Sequence, residues 1–153
     1  MYHMEPITSG PVSANIVARM MGGQRVLGRR IRTVRQLRQA VEGGLPVGAL
    51  EAVVGHVASD RFTAAALKYA IVPKTTLHRR ERLTAEESAR LERLARMTAL
   101  AEQVWEDEER AREFLVSAQP QLDGERPVDL ARSDLGTREV EALLYRIEYA
   151  LPA

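Results

Sequence analysis

Residues 62–82 read FTAAALKYAIVPKTTLHRRER, and this stretch decides the fold. Phe62 to Ala70 has helix-forming composition, Ile71-Val72-Pro73 interrupts it, and Lys74 to Arg82 reads as a second, basic helix. Pro73 suits a helix start, because its missing N–H would have no partner there. A short helix, a three-residue break and a second basic helix are the proportions of a helix-turn-helix. Leu77 is the inward anchor of the second helix. Lys74, Thr75, Thr76, His78, Arg79, Arg80 and Arg82 are then the expected DNA-facing residues. Lys74 and Thr75 are best placed for base edges, and Arg79 and Arg80 for a guanine or a phosphate one turn later. The competing reading is an ordinary surface helix with solvated charges, since such pairs also occur in proteins that never meet DNA.

Toward the N-terminus, Thr33-Val34-Arg35-Gln36 is a capping-box pattern. It opens a helix with Val34, Leu37 and Val41 on one face, closed by Gly43-Gly44. Pro46 starts another, with Val47, Leu50, Val53, Val54 and Val57 inward. A first helix is expected over about Val12 to Met21, ending at Gly22-Gly23. Residues 24–32 carry arginines without apolar periodicity and read as a loop or short turn. Residues 1–11 read as an arm.

Toward the C-terminus, Thr84-Ala85-Glu86-Glu87 is a second capping box. It opens the longest helical pattern, Ala85 to about Trp105, roughly 30 Å at about 1.5 Å per residue. Asp107 to Ser117 follows, with Ala111, Phe114 and Leu115 inward. Pro120 and Asp123-Gly124 mark a turn, and Pro127 to Ala131 a single helical turn. Gly136-Thr137 precedes the last helix, whose stripe is Val140, Leu143, Leu144, Ile147 and Leu151. No alternating strand pattern occurs. The expected class is all-α, with an arm and short helix over 1–32, a helix-turn-helix domain over 33–83 and a second helical domain over 84–153.

The charge changes sign at the same place. Residues 1–83 hold 13 lysines and arginines against 5 acidic residues, a net +8, and residues 84–153 hold 9 against 16, a net −7. The whole chain is +1, which conceals the split. The basic half suits a polyanion and the acidic half a protein with a basic surface. Arg29, Arg30, Arg32, Arg35 and Arg38 form a further basic cluster, read as a phosphate-contacting surface or a solvated face.

The 153 residues contain no cysteine, so disulfides, thiolate catalysis and cysteine zinc sites are excluded. No apolar run approaches the roughly 18–20 residues of a membrane span, and the N-terminus lacks a signal-peptide layout. These features lead to the expectation of a soluble cytoplasmic protein with no membrane contact. Glu102, Glu106, Asp107, Glu108, Glu109 and Glu113 crowd one helix junction, where Asp107 to Glu109 complement a helix N-terminus. They are expected to lack a nearby histidine and to form a surface. No His-Glu-x-x-His, phosphate-binding glycine loop or Gly-x-Ser-x-Gly pattern is present, so no enzyme, metal site or cofactor is expected. On the last helix Tyr145 and Tyr149 lie four apart, off the apolar stripe, and read either as interface tyrosines or as edge packing.

Taken in order, several segments resemble the Xre/MbcA/ParS antitoxins, which neutralise RES-domain toxins in bacterial toxin–antitoxin pairs. The segments are Gly44-Leu45-Pro46-Val47, Thr76-Leu77 with Arg79-Arg80, Arg82-Leu83-Thr84 through Glu86-Glu87-Ser88, and Arg93-Leu94-Ala95-Arg96. Beyond them come Ala111, Phe114-Leu115, Leu122, Gly124, Pro127, Gly136, Val140-Glu141 and Arg146-Ile147-Glu148-Tyr149. The resemblance covers roughly residues 33–151, and residues 1–32 match nothing in it. It implies an Xre-like DNA-binding domain, a helical toxin-binding domain, a homodimer and binding to operator DNA of the chain's own operon. It also implies a toxin that consumes NAD or transfers ADP-ribose from it, with the antitoxin covering that site. By the same resemblance Tyr145, Arg146, Glu148, Tyr149 and Leu151 are the expected toxin contacts, and association with the nucleoid is expected when DNA is bound. Ile71 stands where many members have a turn glycine, so that turn is expected to be longer or irregular. Phe114 stands for a frequent Trp, and Ala150 for a frequent Gly, which extends the last helix. The remaining readings are a stand-alone helix-turn-helix regulator with a dimerisation or sensing domain, and a DNA-free interaction adaptor.

Overall fold

Two threonines fix the starts of two helices. Thr33 Oγ1 accepts from the Gln36 amide at 3.1 Å, and the Gln36 side chain accepts in return from the Thr33 amide at 3.2 Å. Thr84 and Glu87 make the same reciprocal pair at 3.1 and 2.8 Å. Each satisfies two amide donors that a helix start would otherwise leave unpaired. The computed structural model describes residues 11–150. Over these it is all-α with no strand, in agreement with the sequence expectation. Leu151 and residues 1–10 of the expected arm lie outside the described residues.

The helices are α1 (Ala14–Met20), α2 (Gly23–Leu27), α3 (Val34–Glu42), α4 (Val47–Val57), α5 (Arg61–Ile71), α6 (Lys74–Leu77), α7 (Ala85–Trp105), α8 (Glu108–Val116), α9 (Pro127–Leu130) and α10 (Asp134–Ala150). A 3₁₀ turn, Pro120–Leu122, joins α8 to α9. The long α7 spans the molecule. It packs against α1, α3, α4 and α5 from the basic half and against α8 and α10 from the acidic half. Met97 to Ala101 are five consecutive buried residues, so this part of α7 is enclosed all round. Its one buried hydroxyl there is satisfied locally, Thr98 Oγ1 donating to the Leu94 carbonyl at 2.7 Å. Leu91, Leu100, Leu115 and Leu144 are each 1% exposed or less and belong to a single apolar core. Truncating such a leucine to alanine costs about 2–5 kcal/mol.

Four expectations are corrected. Residues 24–32 are not all loop, because α2 occupies Gly23–Leu27. Gly22 and Gly23, with φ of 101° and 67°, reverse the chain into it after α1. Val34 does not face inward and is 74% exposed, leaving Leu37 as the buried residue of α3. The basic helix expected over 74–82 is one turn, Lys74–Leu77, followed by a turn and an extended segment. Gly136 and Thr137 lie inside α10, which starts at Asp134, and Ser133 Oγ accepts from the Gly136 amide at 2.9 Å. A Cβ on Gly136 would collide with the Leu130 carbonyl oxygen, so that position needs glycine where α9 meets α10.

Candidate functional site

The helix-turn-helix segment is built from the core outward. Asp60 caps α5 by accepting from the Thr63 amide at 2.8 Å. Ile71 ends α5 with its side chain buried, and Val72, fully buried, is extended at φ −129°. Pro73 is extended too and caps α6, so the connection contains no left-handed residue. That is how a β-branched residue is accommodated where a glycine turn would otherwise stand. Leu77 is buried, as its spacing predicts.

Of the expected DNA-facing residues, Lys74, Thr75, Thr76, His78 and Arg79 are exposed together on α6 and the turn after it. The Lys74 ammonium lies 5.7 Å from the centre of the Tyr69 ring, a cation–π contact. Thr76 Oγ1 donates to the Pro73 carbonyl at 2.9 Å. Arg80 is drawn partly back into the fold, and Arg82, exposed like the others, is tied to the chain on the far side of the turn. Arg80 Nη2 donates to Glu87 Oε2 at 2.8 Å, and this hydrogen bond holds the guanidinium charge above its ordinary range. Arg82 Nη1 donates to the Gly44 carbonyl at 2.9 Å.

Glu87 therefore has two tasks, with one carboxylate oxygen in the α7 capping box and the other on Arg80. Its residue is 8% exposed. Burial pushes its carboxyl up, but the Arg80 and Thr84 hydrogen bonds outweigh this and hold it below the ordinary range. Around it the chain forms a clasp. The Leu83 amide donates to the Leu45 carbonyl at 2.8 Å, and the Val47 amide to the Glu81 carbonyl at 2.9 Å. The Leu45 amide donates to the buried Ser88 Oγ at 2.8 Å. Pro46 and Arg82 form an isolated antiparallel bridge. Gly44 sits at φ 85°, where a Cβ would collide with the Leu83 carbonyl oxygen. The Gly-Leu-Pro and Arg-Leu-Thr segments thus meet each other, a pairing no local spacing announces.

On the acidic side, Asp107 Oδ1 accepts from the Glu109 and Arg110 amides at 2.8 and 3.1 Å, so it caps α8. The carboxylates there do have a histidine nearby, contrary to the sequence expectation. His56, brought in from α4, places Nδ1 3.6 Å from Glu102 Oε1. Burial raises the Glu102 carboxyl, His56 opposes the rise and Glu108 adds to it. Ligand atoms of His56, Glu102 and Glu108 lie within 4.8 Å of one another, the one group among the described residues with the donor set for a metal ion. The Arg112 guanidinium, whose Nε donates to the His56 carbonyl at 3.2 Å, adds positive charge beside it.

Of the expected partner contacts, Arg146 and Tyr149 are exposed near the end of α10, Tyr149 by 69%. Tyr145 is half-buried, and its hydroxyl is raised by burial first and by Glu141 and Glu148 next. Glu148 is half-buried as well, with Oε1 accepting from Gln103 Nε2 at 3.4 Å and Oε2 buried without a hydrogen-bond partner. Trp105 Nε1 is also buried without one. Trp105 and Phe114, with ring centres 6.1 Å apart, line an open cleft of about 380 Å³ with Arg110, Glu113, Ser117 and Gln119. Among the described residues no helix is long and apolar enough to cross a membrane.

Comparison with known proteins matches both halves. Residues 36–96 match the Antitoxin Xre-like helix-turn-helix domain, and residues 100–150 match the Antitoxin Xre/MbcA/ParS C-terminal toxin-binding domain. A relative, Antitoxin Xre of Pseudomonas putida, is 34% identical over 74 residues, which are 48% of this chain and 46% of that protein. The match thus spans about half the length of the curated relative.

Proposed function

This chain belongs to the Xre/MbcA/ParS antitoxin family, and from that premise we propose that it neutralises a RES-domain toxin and binds the operator DNA of its own operon. The toxin is of the NAD-consuming or ADP-ribosylating class, and the antitoxin acts on it by covering its active site rather than by chemistry of its own. The observation that carries this reading is the joining of a helix-turn-helix region and a toxin-binding region through one helix, α7, which packs against both.

The toxin contact is assigned to the end of α10. Val140, Leu143 and Leu144 seal one face of this helix into the core, which leaves Arg146 and Tyr149 available to a partner. Tyrosine and arginine are the residue types that contribute most at protein interfaces. Tyr145 and Glu148 would sit at the margin of that contact, with Leu151 following it in sequence. A toxin site shaped for an anionic dinucleotide would be basic, and the −7 half of this chain is electrostatically suited to it.

DNA contact is assigned to Lys74, Thr75, Thr76, His78 and Arg79, with Arg80 and Arg82 holding the turn in place. Residues 33–83 would form the DNA-binding part and 84–153 the toxin-binding part, acting in the cytoplasm and on the nucleoid. A homodimer is part of the proposal. Phe62 is 90% exposed and lies in line with Ala66 and Ala70 on α5, an apolar stripe suited to contact between copies.

Coexpression with the product of the neighbouring gene tests the reading. That product should arrest growth alone and be silenced by this chain; absence of either effect removes the antitoxin assignment.

A further inference from the structure

The segment before the matched domains carries charge that the fold does not use. Among the described residues, Arg19, Arg29, Arg30 and Arg32 are exposed and form no ion pair with a carboxylate. In the other half most arginines are paired: Arg90, Arg96, Arg112, Arg126, Arg132 and Arg138 each face an acidic partner. These four arginines line one open cleft of about 380 Å³ between α1, the start of α2 and the stretch before α3. Their mutual repulsion is unfavourable unless something anionic comes to the cleft.

The local backbone is built to hold them there. The Gly22-Gly23 reversal lays α2 against α1, and Gly28, at φ 71°, turns the chain again before Arg29. Buried Ile31 anchors the stretch between Arg30 and Arg32, and the Arg32 amide donates to Gln36 Oε1 at 2.7 Å. Both ends of this arginine-bearing stretch are therefore tied down while its guanidinium groups stay free.

The cleft is continuous with the helix-turn-helix. Arg29 also lines a second groove, which it shares with Gln39, Pro46 and Arg82. Arg82 follows the turn that carries Arg79, so positive charge runs from Arg19 through Arg29 and Arg82 to that turn. A single small anion would need one focus of charge. A line of separate guanidinium groups instead suits a polymer with a regularly spaced negative charge.

We propose that this cleft is a second nucleic-acid contact, in which Arg19, Arg29, Arg30 and Arg32 bind the sugar–phosphate backbone of duplex DNA flanking the segment engaged by the helix-turn-helix. The contact is sequence-independent and contributes affinity and register rather than base reading. It rests on the DNA-binding reading above and extends it to residues 19–32, which neither matched domain includes.

The test is fluorescence anisotropy of the full chain on two duplexes of equal length, one from upstream of its own gene and one of random sequence, over a range of salt. The variants are Arg19→Ala/Arg29→Ala/Arg30→Ala, the same three positions changed to Lys, and Arg79→Ala. The alanine triple should weaken binding to both duplexes and reduce the slope of log K against log salt by about 2–3, at about 0.9 for each phosphate no longer neutralised. The lysine triple should restore most of that slope, which a merely structural role for the arginines does not predict. An alanine triple with the wild-type slope, alongside a reduced slope for Arg79→Ala, overturns the second contact and leaves the helix-turn-helix reading intact. Loss of self-association in sedimentation with an unchanged slope also overturns it, and gives the cleft to the acidic half of another copy. Failure of the wild-type chain to bind either duplex at low salt removes the DNA reading and the second contact together.

Discussion

The Arg80 guanidinium and the buried Glu87 carboxylate meet at 2.8 Å across the point where the charge of the chain changes sign. The pair ties the end of the helix-turn-helix to the first turn of α7. An arginine placed on the DNA-facing turn by its spacing is thereby a fastening of the fold, and Glu87 is both a helix cap and that fastening's acceptor.

Replacing Glu87 with Ala should lower stability by about 0.5–1.5 kcal/mol from the lost hydrogen bond to the Thr84 amide alone. Arg80 would be left without its partner at the same time. Urea denaturation measures the change, and Glu86→Ala, next to it but exposed, is the control with little effect.

Acid should act through the same residue. The Glu87 carboxyl is held below its ordinary value of 4.5, so its contribution is present above that pH and lost as pH falls through the lowered value. Asp129, held down first by its hydrogen bond from Arg126, adds to the loss in acid. Glu92 runs the other way. Burial raises its carboxyl, so the folded state takes up a proton first and gains stability as pH falls toward 4.5. Thermal melting against pH should therefore show a steep loss below about 4.5, shallower in Glu87→Gln. Equal slopes in both proteins would remove Glu87 from the acid response.

Gly44→Ala should cost about 1–3 kcal/mol for the left-handed backbone, plus the collision with the Leu83 carbonyl. Gly55→Ala is the matched control, because a Cβ there meets open space and helix propensity favours alanine. Denaturant midpoints should move in opposite directions for the two variants.

Arg79 and Arg80 should separate in a binding assay. Arg79 is exposed and its removal should leave melting unchanged while reducing the salt slope of DNA binding by about 0.9. Arg80→Ala should lower the melting temperature as well, because it leaves the Glu87 carboxylate without its guanidinium partner.

What is legible in the sequence is local. Thr33 with Gln36 and Thr84 with Glu87 announce their helices because a cap and its partner lie three residues apart, and α7 runs over the expected Ala85–Trp105. Leu77, Phe114 and Leu115 are buried where the periodicity puts them. The second helix of the helix-turn-helix falls short for a non-local reason. Residues 81–83 pair with 45–47, and Arg82 reaches Gly44 across 38 positions, so the chain straightens where composition favours helix. The histidine beside Glu102 comes from α4, 46 residues earlier, and no spacing within the acidic run indicates it. Helix α2 has glycine at each end and no apolar period, so only its docking against α1 and α4 reveals it. The Trp105 and Phe114 cleft has no sequence signal either, because the two rings come from successive helices that the left-handed Glu106 folds together.

We propose that the exposed end of α10 silences a toxin encoded beside this chain. The most direct measurement is growth and copurification when that neighbouring product is coexpressed with the wild-type chain or with Arg146→Glu/Tyr149→Ala. Wild type should restore growth and copurify, and the double variant should melt like wild type yet do neither, since both side chains are exposed. Full neutralisation by the double variant would contradict the assignment of the toxin contact, and a neighbouring product that is harmless alone would contradict the antitoxin reading itself.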